Sequence, residues 1–253
     1  MLHTLGLVIA ACVLGAVVFA AVFAAVIYCR GRFTVPQATL MLLNFFYMRF
    51  IWRLTVRGRC TLGLTDGAVI VCNHRCPLDP SFIARVLGRT GHWMVAREYC
   101  ENPWIGWFFR ACQVIPVRRG GIDTAATRLS IRLASQGGVV GVFPEGRIND
   151  TPDLLLPGRP GAALIALKAR APVIPCYIHG SPYHGAVWDC LFSFARVTLT
   201  IGQPIDLTEY YGRESEREVL EDLTRRFLRE IATLAGHPDF TPQLARRFYK
   251  PEQ

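Results

Sequence analysis

The chain opens with an apolar run from Leu5 to Tyr28 that contains no charged residue. At about 1.5 Å per residue, a helix of this length covers a hydrocarbon layer of about 30 Å. The run therefore predicts a transmembrane helix and an N-terminal anchor over residues 1–35. A cleaved signal peptide is the competing interpretation, but it would need a positively charged start and a shorter apolar centre. Arg30 and Arg32 follow the run, so the positive-inside tendency predicts a single-pass protein whose remaining chain is cytoplasmic.

A second apolar segment follows Pro36 and reaches Arg53. It is too short and too charged at its end to span a bilayer easily, and it predicts a hydrophobic helix within residues 36–56. Arg49 and Arg53 are four residues apart and share one face of such a helix, while aromatic residues cover the rest. We expect this helix to lie in the membrane interface. A core helix of the domain that follows is the alternative.

From residue 57 onward, short apolar runs alternate with helical patterns. The runs predict strands over residues 68–72, 93–96, 114–117, 139–143, 173–178 and 197–201. Helical spacing predicts helices near residues 80–88, 103–111, 122–136, 159–170 and 215–235. This alternation predicts an α/β fold with a single, mostly parallel sheet flanked by helices. We expect one domain over residues 57–235 and a C-terminal tail over residues 236–253.

The charge of the chain narrows the choice of partner. All but two of its 28 basic residues are arginines, and the formal net charge is +9. Arginine pairs with phosphate through two parallel hydrogen bonds, although codon bias explains many arginines equally well. The sequence contains no zinc-finger spacing, aromatic RNA-binding signature or basic heptad helix, so nucleic acid is not expected. Anionic membrane lipid is the better partner.

Nine cysteines are scattered along the chain without a paired framework, which predicts reduced thiols in a cytoplasmic setting. Cys72, His74 and Cys76 alternate in a way that allows a metal-binding interpretation. There is no second ligand pair, however, and Pro77 follows directly. Packing at the end of a strand is therefore the favoured role for the two cysteines.

The candidate chemistry begins where the strand at residues 68–72 ends. His74 follows the strand, and Asp79 stands directly before Pro80, a pattern typical of a helix N-cap. A turn over residues 75–78 can bring the Asp79 carboxylate back to the imidazole. Held in this way, His74 keeps one tautomer, and its other nitrogen can accept a proton from an alcohol. Backbone N–H groups near the start of the next helix are candidates for stabilising an oxyanion.

Arginines follow two further predicted strands. Arg147 comes after Phe143-Pro144-Glu145-Gly146, where Gly146 lets the backbone turn. Arg118 and Arg119 come directly before a pair of glycines. Because the carboxyl ends of parallel strands converge, these side chains suit a phosphate group held near His74. The residues alone leave open whether Glu145 orients an arginine or the acceptor.

Four blocks in this order resemble the 1-acyl-sn-glycerol-3-phosphate acyltransferase family of glycerolipid and lysophospholipid acyltransferases. They are His74-x4-Asp79, Ile115-Pro116-Val117-Arg118-Arg119, Phe143-Pro144-Glu145-Gly146-Arg147 and Val173-Ile174-Pro175. The resemblance covers about residues 40–205. It departs from the common family pattern in the third block, where Arg147 follows Gly146 directly, and in the second, where Arg118-Arg119 replaces Asp-Arg.

The resemblance implies a membrane acyltransferase with His74 as general base and Asp79 as its partner. It implies further that the acceptor is bound by Arg118, Arg119, Glu145, Gly146 and Arg147. The acceptor would be lysophosphatidic acid, the donor acyl-CoA or acyl carrier protein, and no metal or tightly held cofactor is required. Acylation of another lysolipid, such as a lyso-aminolipid, is an alternative. A non-catalytic lipid-binding protein and a lipid hydrolase with Cys76 as nucleophile are the others.

Overall fold

A computed structural model of the chain describes residues 2–29, 33–63, 65–118, 123–182, 185 and 187–245. These residues form one sheet of seven strands in the order β1-β7-β6-β2-β5-β3-β4. The strands are β1 (Thr55–Arg57), β2 (Ala68–Cys72), β3 (Gly91–Ala96), β4 (Ile115–Val117), β5 (Val139–Val142), β6 (Val173–His179) and β7 (Thr198–Ile201). Only the β6–β7 pair among them is antiparallel. The predicted α/β class with a mostly parallel sheet is confirmed.

Helices flank this sheet on both faces. They are α3 (Asp79–Leu87), α4 (Arg97–Cys100), α5 (Gly106–Ala111), α6 (Thr124–Ser135), α7 (Gly161–Ala169), α8 (Val187–Phe192) and α9 (Arg217–Leu234). Two N-terminal helices, α1 (Leu2–Cys29) and α2 (Val35–Phe46), precede them, and a π-helical turn, Tyr47–Ile51, continues α2. Short elements escaped prediction, namely β1, α4 and α8. Elements of three to six residues carry too few periodic positions to be recognised.

The central strand β2 is apolar at every position because both of its faces are covered. Val69 and Val71 belong to a cluster with α6, α7 and α9, whereas Ala68, Ile70 and Cys72 pack with α3 and the π-helical turn. Successive side chains of a strand point to opposite faces, which accounts for this division. The sheet therefore lies between two layers of packed residues. The carboxyl ends of its central strands can hold the residues of a functional site.

The N-terminal helices depart from the sequence prediction. Within the residues that the structure describes, no helix combines the length and the apolar character needed to cross a membrane, so the predicted transmembrane span is unsupported. The second helix begins one residue before Pro36, which lies in the first turn of α2, where no backbone N–H is needed. On one side α2 and the π-helical turn bury Leu42, Met48 and Trp52. Their other side is exposed.

Candidate active site

Strand β2 is extended at its carboxyl end by a buried asparagine. The Asn73 side-chain nitrogen donates to the Ile178 carbonyl at 2.9 Å, and its side-chain oxygen accepts from the Ile178 N–H at 2.7 Å. Asn73 is 1% exposed. Its amide therefore continues the pairing of β2 with β6 beyond the last backbone pair, Cys72 with Cys176. The position of the next residue, His74, is set by the two central strands.

The His74 imidazole is in contact with the Asp79 carboxylate. His74 Nδ1 lies 3.1 Å from Asp79 Oδ2, and the exposed fractions of the two side chains are 16% and 0%. The same oxygen accepts hydrogen bonds from the backbone N–H of Arg75 at 2.7 Å and of Cys76 at 2.8 Å. The turn thus brings the carboxylate back to the ring. The opposite ring nitrogen, Nε2, faces away from the carboxylate.

The first turn of α3 differs from the prediction in two respects. Asp79 is the first helical residue rather than the N-cap, which is Leu78, because the carboxylate bonds the N–H groups of the preceding turn. The N–H groups expected to stabilise an oxyanion are also engaged. Those of Asp79 and Ser81 donate to the carbonyls of Cys76 and Leu78, and Pro80 has none. These positions therefore do not provide the expected oxyanion site.

Glu145 lies behind His74 as a buried brace, with an exposed fraction of 3%. Its Oε1 accepts from the His74 N–H at 2.8 Å, and its Oε2 accepts from the Leu156 N–H at 2.8 Å. Burial raises the pKa of the Glu145 carboxyl, and these two hydrogen bonds oppose the rise. Through these two hydrogen bonds the Glu145 carboxylate joins the backbone of His74 to that of Leu156 and supports the His74 turn.

Arg75 and Asn149 attach a neighbouring loop to the His74 turn. The Arg75 guanidinium donates to the carbonyls of Asn149 at 3.1 Å and Thr151 at 2.6 Å, and also to that of Asp153. The Asn149 N–H donates to the His74 carbonyl at 2.7 Å. Sequence analysis missed this role of Arg75. Its partners are backbone carbonyls, which no residue pattern reveals.

Arginines gather at the carboxyl end of β5, which is the neighbour of β2 in the sheet. Gly146 adopts φ 71°, and a Cβ there would lie 3.0 Å from Cδ and Nε of Arg159. The Arg159 N–H donates to the Pro144 carbonyl at 2.8 Å. Exposed Arg159, which sequence analysis also missed, therefore lies across Gly146, the residue before exposed Arg147.

The second arginine block lies farther along the sheet. Exposed Arg118 follows β4, the edge strand, and its backbone N–H donates to Asp123 Oδ2 at 2.9 Å. Asp123 in turn caps α6 by accepting from the Ala126 N–H. The contacts of Arg118 thus order the start of α6. Arg119 lies outside the described residues.

Cys76 is fully buried in the turn between His74 and Asp79. Burial, followed by the nearby negative charge of Asp79, raises the pKa of its thiol far above the ordinary value. A thiol must ionise to act as a nucleophile or a metal ligand. This buried environment therefore disfavours Cys76 as the nucleophile of a hydrolase. In the described part of the chain, no three His, Cys, Asp or Glu side chains are grouped to hold a metal ion.

Comparison with known proteins agrees with this geometry. A model of the acyltransferase family matches residues 53–179, just over half of the chain. The 1-acyl-sn-glycerol-3-phosphate acyltransferase of Bacillus subtilis is 29% identical over 185 residues, which are 73% of this chain and 89% of that protein. The 1-acyl-sn-glycerol-3-phosphate acyltransferase alpha of Ovis aries is 32% identical over 143 residues, 54% of this chain and 48% of its own.

A solved structure shares the fold. The crystal structure of the 1-acyl-sn-glycerophosphate acyltransferase of Thermotoga maritima superimposes with a TM-score of 0.57 at 24% identity. The alignment covers 76% of this chain and 79% of that one. The α/β sheet with its flanking helices is therefore common to both proteins.

The protein is an acyltransferase enzyme whose His74–Asp79 pair, the dyad, follows the carboxyl end of a central strand. Within that class, the chain belongs to the acyltransferase family that includes the 1-acylglycerol-3-phosphate acyltransferases, as its four blocks indicated. Lipid substrates are implied by this family.

Proposed function

We propose that the protein transfers a fatty acyl group from acyl-CoA or acyl carrier protein to the free hydroxyl of lysophosphatidic acid, in phospholipid biosynthesis. The observation that carries the proposal is the contact of His74 with Asp79, one strand away from Arg147 and from Arg159, whose side chain lies across Gly146. The Bacillus subtilis relative, which this chain matches over most of its length, is named for the same acceptor.

The dyad is arranged for general-base catalysis. With the proton of Nδ1 donated to Asp79, the His74 ring has a lone pair on Nε2 that can accept the proton of the acceptor hydroxyl. The acceptor oxygen then attacks the thioester carbonyl, an ester bond forms and the carbon–sulfur bond breaks. The departing thiolate takes the proton from the imidazolium. Asp79 stabilises the charged ring between these steps, and the enzyme forms no covalent intermediate.

The acceptor phosphate would bind at the carboxyl end of β5. Two exposed guanidinium groups, those of Arg147 and Arg159, lie one strand away from His74. Guanidinium groups form paired hydrogen bonds with phosphate oxygens. Acylation of a lysolipid with another head group remains the second candidate, because the second and third blocks depart from the common family pattern at Arg118-Arg119 and Arg147.

We propose that the enzyme works at the cytoplasmic face of the cell membrane, attached through an apolar surface. Exposed apolar side chains run along α1, where Ile9, Val13 and Leu14 are 55%, 57% and 65% exposed. Outside α1, Phe46, Phe50, Phe192 and Phe194 are also exposed, by 36%, 57%, 78% and 76%. We name these four residues the phenylalanine patch. A surface of this kind lies in the interface region of a bilayer.

Labelled acyl-CoA and labelled acyl carrier protein, each incubated with purified protein and a panel of lysolipids, test the proposal. The panel contains lysophosphatidic acid, lysophosphatidylglycerol, lysophosphatidylethanolamine and a lyso-aminolipid. We expect labelled phosphatidic acid from the wild type and none from His74→Ala. Cys76→Ala is the matched control and should retain activity, whereas a Cys76 hydrolase would lose it.

The outcomes separate the alternatives. Labelling of another lysolipid in preference to lysophosphatidic acid would favour the second acceptor class. Equal labelling by the wild type and His74→Ala would overturn the mechanism. Failure to label any acceptor from either donor would favour a non-catalytic lipid-binding protein.

A further inference from the structure

The His74 ring stacks face to face on an aromatic ring. The centroids of His74 and Phe143 lie 3.8 Å apart with an interplanar angle of 6°. Phe143 in turn stacks on Trp93, with 4.9 Å between the centroids and an angle of 26°. The imidazole is therefore the outer member of a three-ring stack that reaches into the sheet.

The sheet provides the space for this stack. Trp93 of β3 is paired in register with Gly141 of β5, two residues before Phe143. A Cβ on Gly141 would lie 2.4 Å from the Trp93 ring, so a larger residue there would displace the indole. Trp93 is 4% exposed, and its indole N–H has no hydrogen-bond partner within the described residues. Trp93 therefore contributes to the stack through the face of its ring.

The stack restricts a rotation of the His74 ring that the hydrogen bond to Asp79 alone does not prevent. A single contact at Nδ1 allows the imidazole to turn about that contact, and the ring torsion of histidine is intrinsically broad. A parallel ring at 3.8 Å removes this freedom. It also favours positive charge on the imidazole, because the face of an aromatic ring attracts a cation. In the proposed mechanism, the ring acquires positive charge when it takes the acceptor proton.

We propose that Phe143 is a positioning residue for His74, with Trp93 supporting it from behind. The two rings hold the imidazole plane so that Nδ1 meets Asp79 and Nε2 meets the acceptor, and they stabilise the ring when it becomes cationic. This inference rests on the proposed general-base function. Because the effect arises during proton transfer, it acts on kcat and leaves KM unchanged.

Kinetics of Phe143 variants test the role, with whichever lysolipid the wild type accepts. Phe143→Leu should lower kcat about tenfold and change KM by less than about twofold. Phe143→Tyr keeps the ring face and should retain about half of kcat or more. Phe227→Leu is the matched control, since Phe227 is fully buried in the cluster on the other face of the sheet. It should lower the Tm but not kcat.

A second pair of variants changes residues that affect the His74 ring only through the stack. Gly141→Ala should lower kcat, because its methyl group would displace the Trp93 ring that supports Phe143. Trp93→Phe should be tolerated. Normal kcat in folded Phe143→Leu or folded Gly141→Ala, or a loss confined to KM, would overturn the inference. These results leave the proposed function intact if His74→Ala is inactive; an active His74→Ala overturns that function itself.

Discussion

One oxygen of Asp79 holds together the turn that runs from His74 to Asp79. Oδ2 contacts Nδ1 of the His74 ring and accepts hydrogen bonds from two backbone N–H groups. Oδ1 is buried without a hydrogen-bond partner in the described structure. The charge on this carboxylate both orients the imidazole and compensates its positive form. An amide of the same shape cannot replace the carboxylate, because it has one acceptor oxygen and no charge.

Asp79→Asn is therefore expected to lower kcat by about 10³- to 10⁴-fold, the loss typical of a histidine held in the wrong tautomer. KM should change little, since no contact with the acceptor is removed. Steady-state kinetics measure both parameters, and circular dichroism checks that the variant is folded. A variant with near-normal kcat would show that Asp79 acts only in shaping the turn.

Glu145 gives the unfolding free energy a specific pH dependence. Because burial raises its carboxyl pKa, the folded protein binds this proton more tightly than the unfolded chain does. The stability that this difference contributes is fully present below the ordinary pKa and is lost as pH rises through the raised value. Over that window the wild type should lose unfolding free energy relative to Glu145→Gln, which has no proton to release.

Urea unfolding of the wild type and Glu145→Gln in the same detergent, at pH values from about 4 to 7, measures the effect. The unfolding free energy of the wild type should fall relative to that of Glu145→Gln as pH rises. A difference that is constant with pH, or that moves in favour of the wild type, would contradict the raised pKa.

At the scale of elements, Asn73 joins two central strands where their backbone pairing ends. Asn73→Ala should leave the N–H and the carbonyl of Ile178 buried without partners, at about 1–3 kcal/mol each. The expected loss of unfolding free energy is therefore about 2–6 kcal/mol, measured by urea unfolding. Half-buried Asn44, whose side chain donates to the Ser81 carbonyl at 2.9 Å, is the control. Asn44→Ala should cost about 1 kcal/mol, and an equal loss in both variants would argue against a special role for Asn73.

Elements also show where periodicity is informative. The strands from β2 to β7 and the helices α6, α7 and α9 lie within a few residues of their predicted positions. Their burial repeats along the chain, so the pattern of apolar residues records it. The start of α3 was predicted less well. Asp79 and Pro80 have the composition of a cap, but the carboxylate is used by a contact within the preceding turn.

At the scale of the whole molecule, the phenylalanine patch joins two distant segments. The Ala195 N–H donates to the Ile51 carbonyl at 3.2 Å, and the Trp52 side chain donates to the Ser193 carbonyl at 3.1 Å. These bonds join the segment that contains Phe50 to the segment that contains Phe192 and Phe194. The guanidinium of Arg49 lies 5.4 Å from the centre of the Phe50 ring. Apolar rings and a cation at one surface suit a bilayer that contains anionic lipid.

The double variant Phe192→Ser, Phe194→Ser is expected to bind vesicles of phosphatidylcholine and phosphatidylglycerol about tenfold more weakly than the wild type, since two exposed aromatic side chains no longer enter the interface. Vesicle sedimentation measures the change. Tyr210→Ser, on the opposite face of the sheet, is the control and should bind as the wild type does. Unchanged binding by the double variant would exclude the patch from the membrane contact.

The sequence by itself determined the α/β class, the positions of the principal strands along the chain and the pairing of His74 with Asp79, because periodic burial and a short turn are local properties of the chain. Only the tertiary structure decided what surrounds that pair. The Glu145 brace, the attachment of Arg75 to backbone carbonyls, the Arg159 side chain over Gly146 and the Trp93–Phe143–His74 stack all join residues that are distant in sequence. Such contacts depend on which strands lie side by side, and residue spacing does not record that.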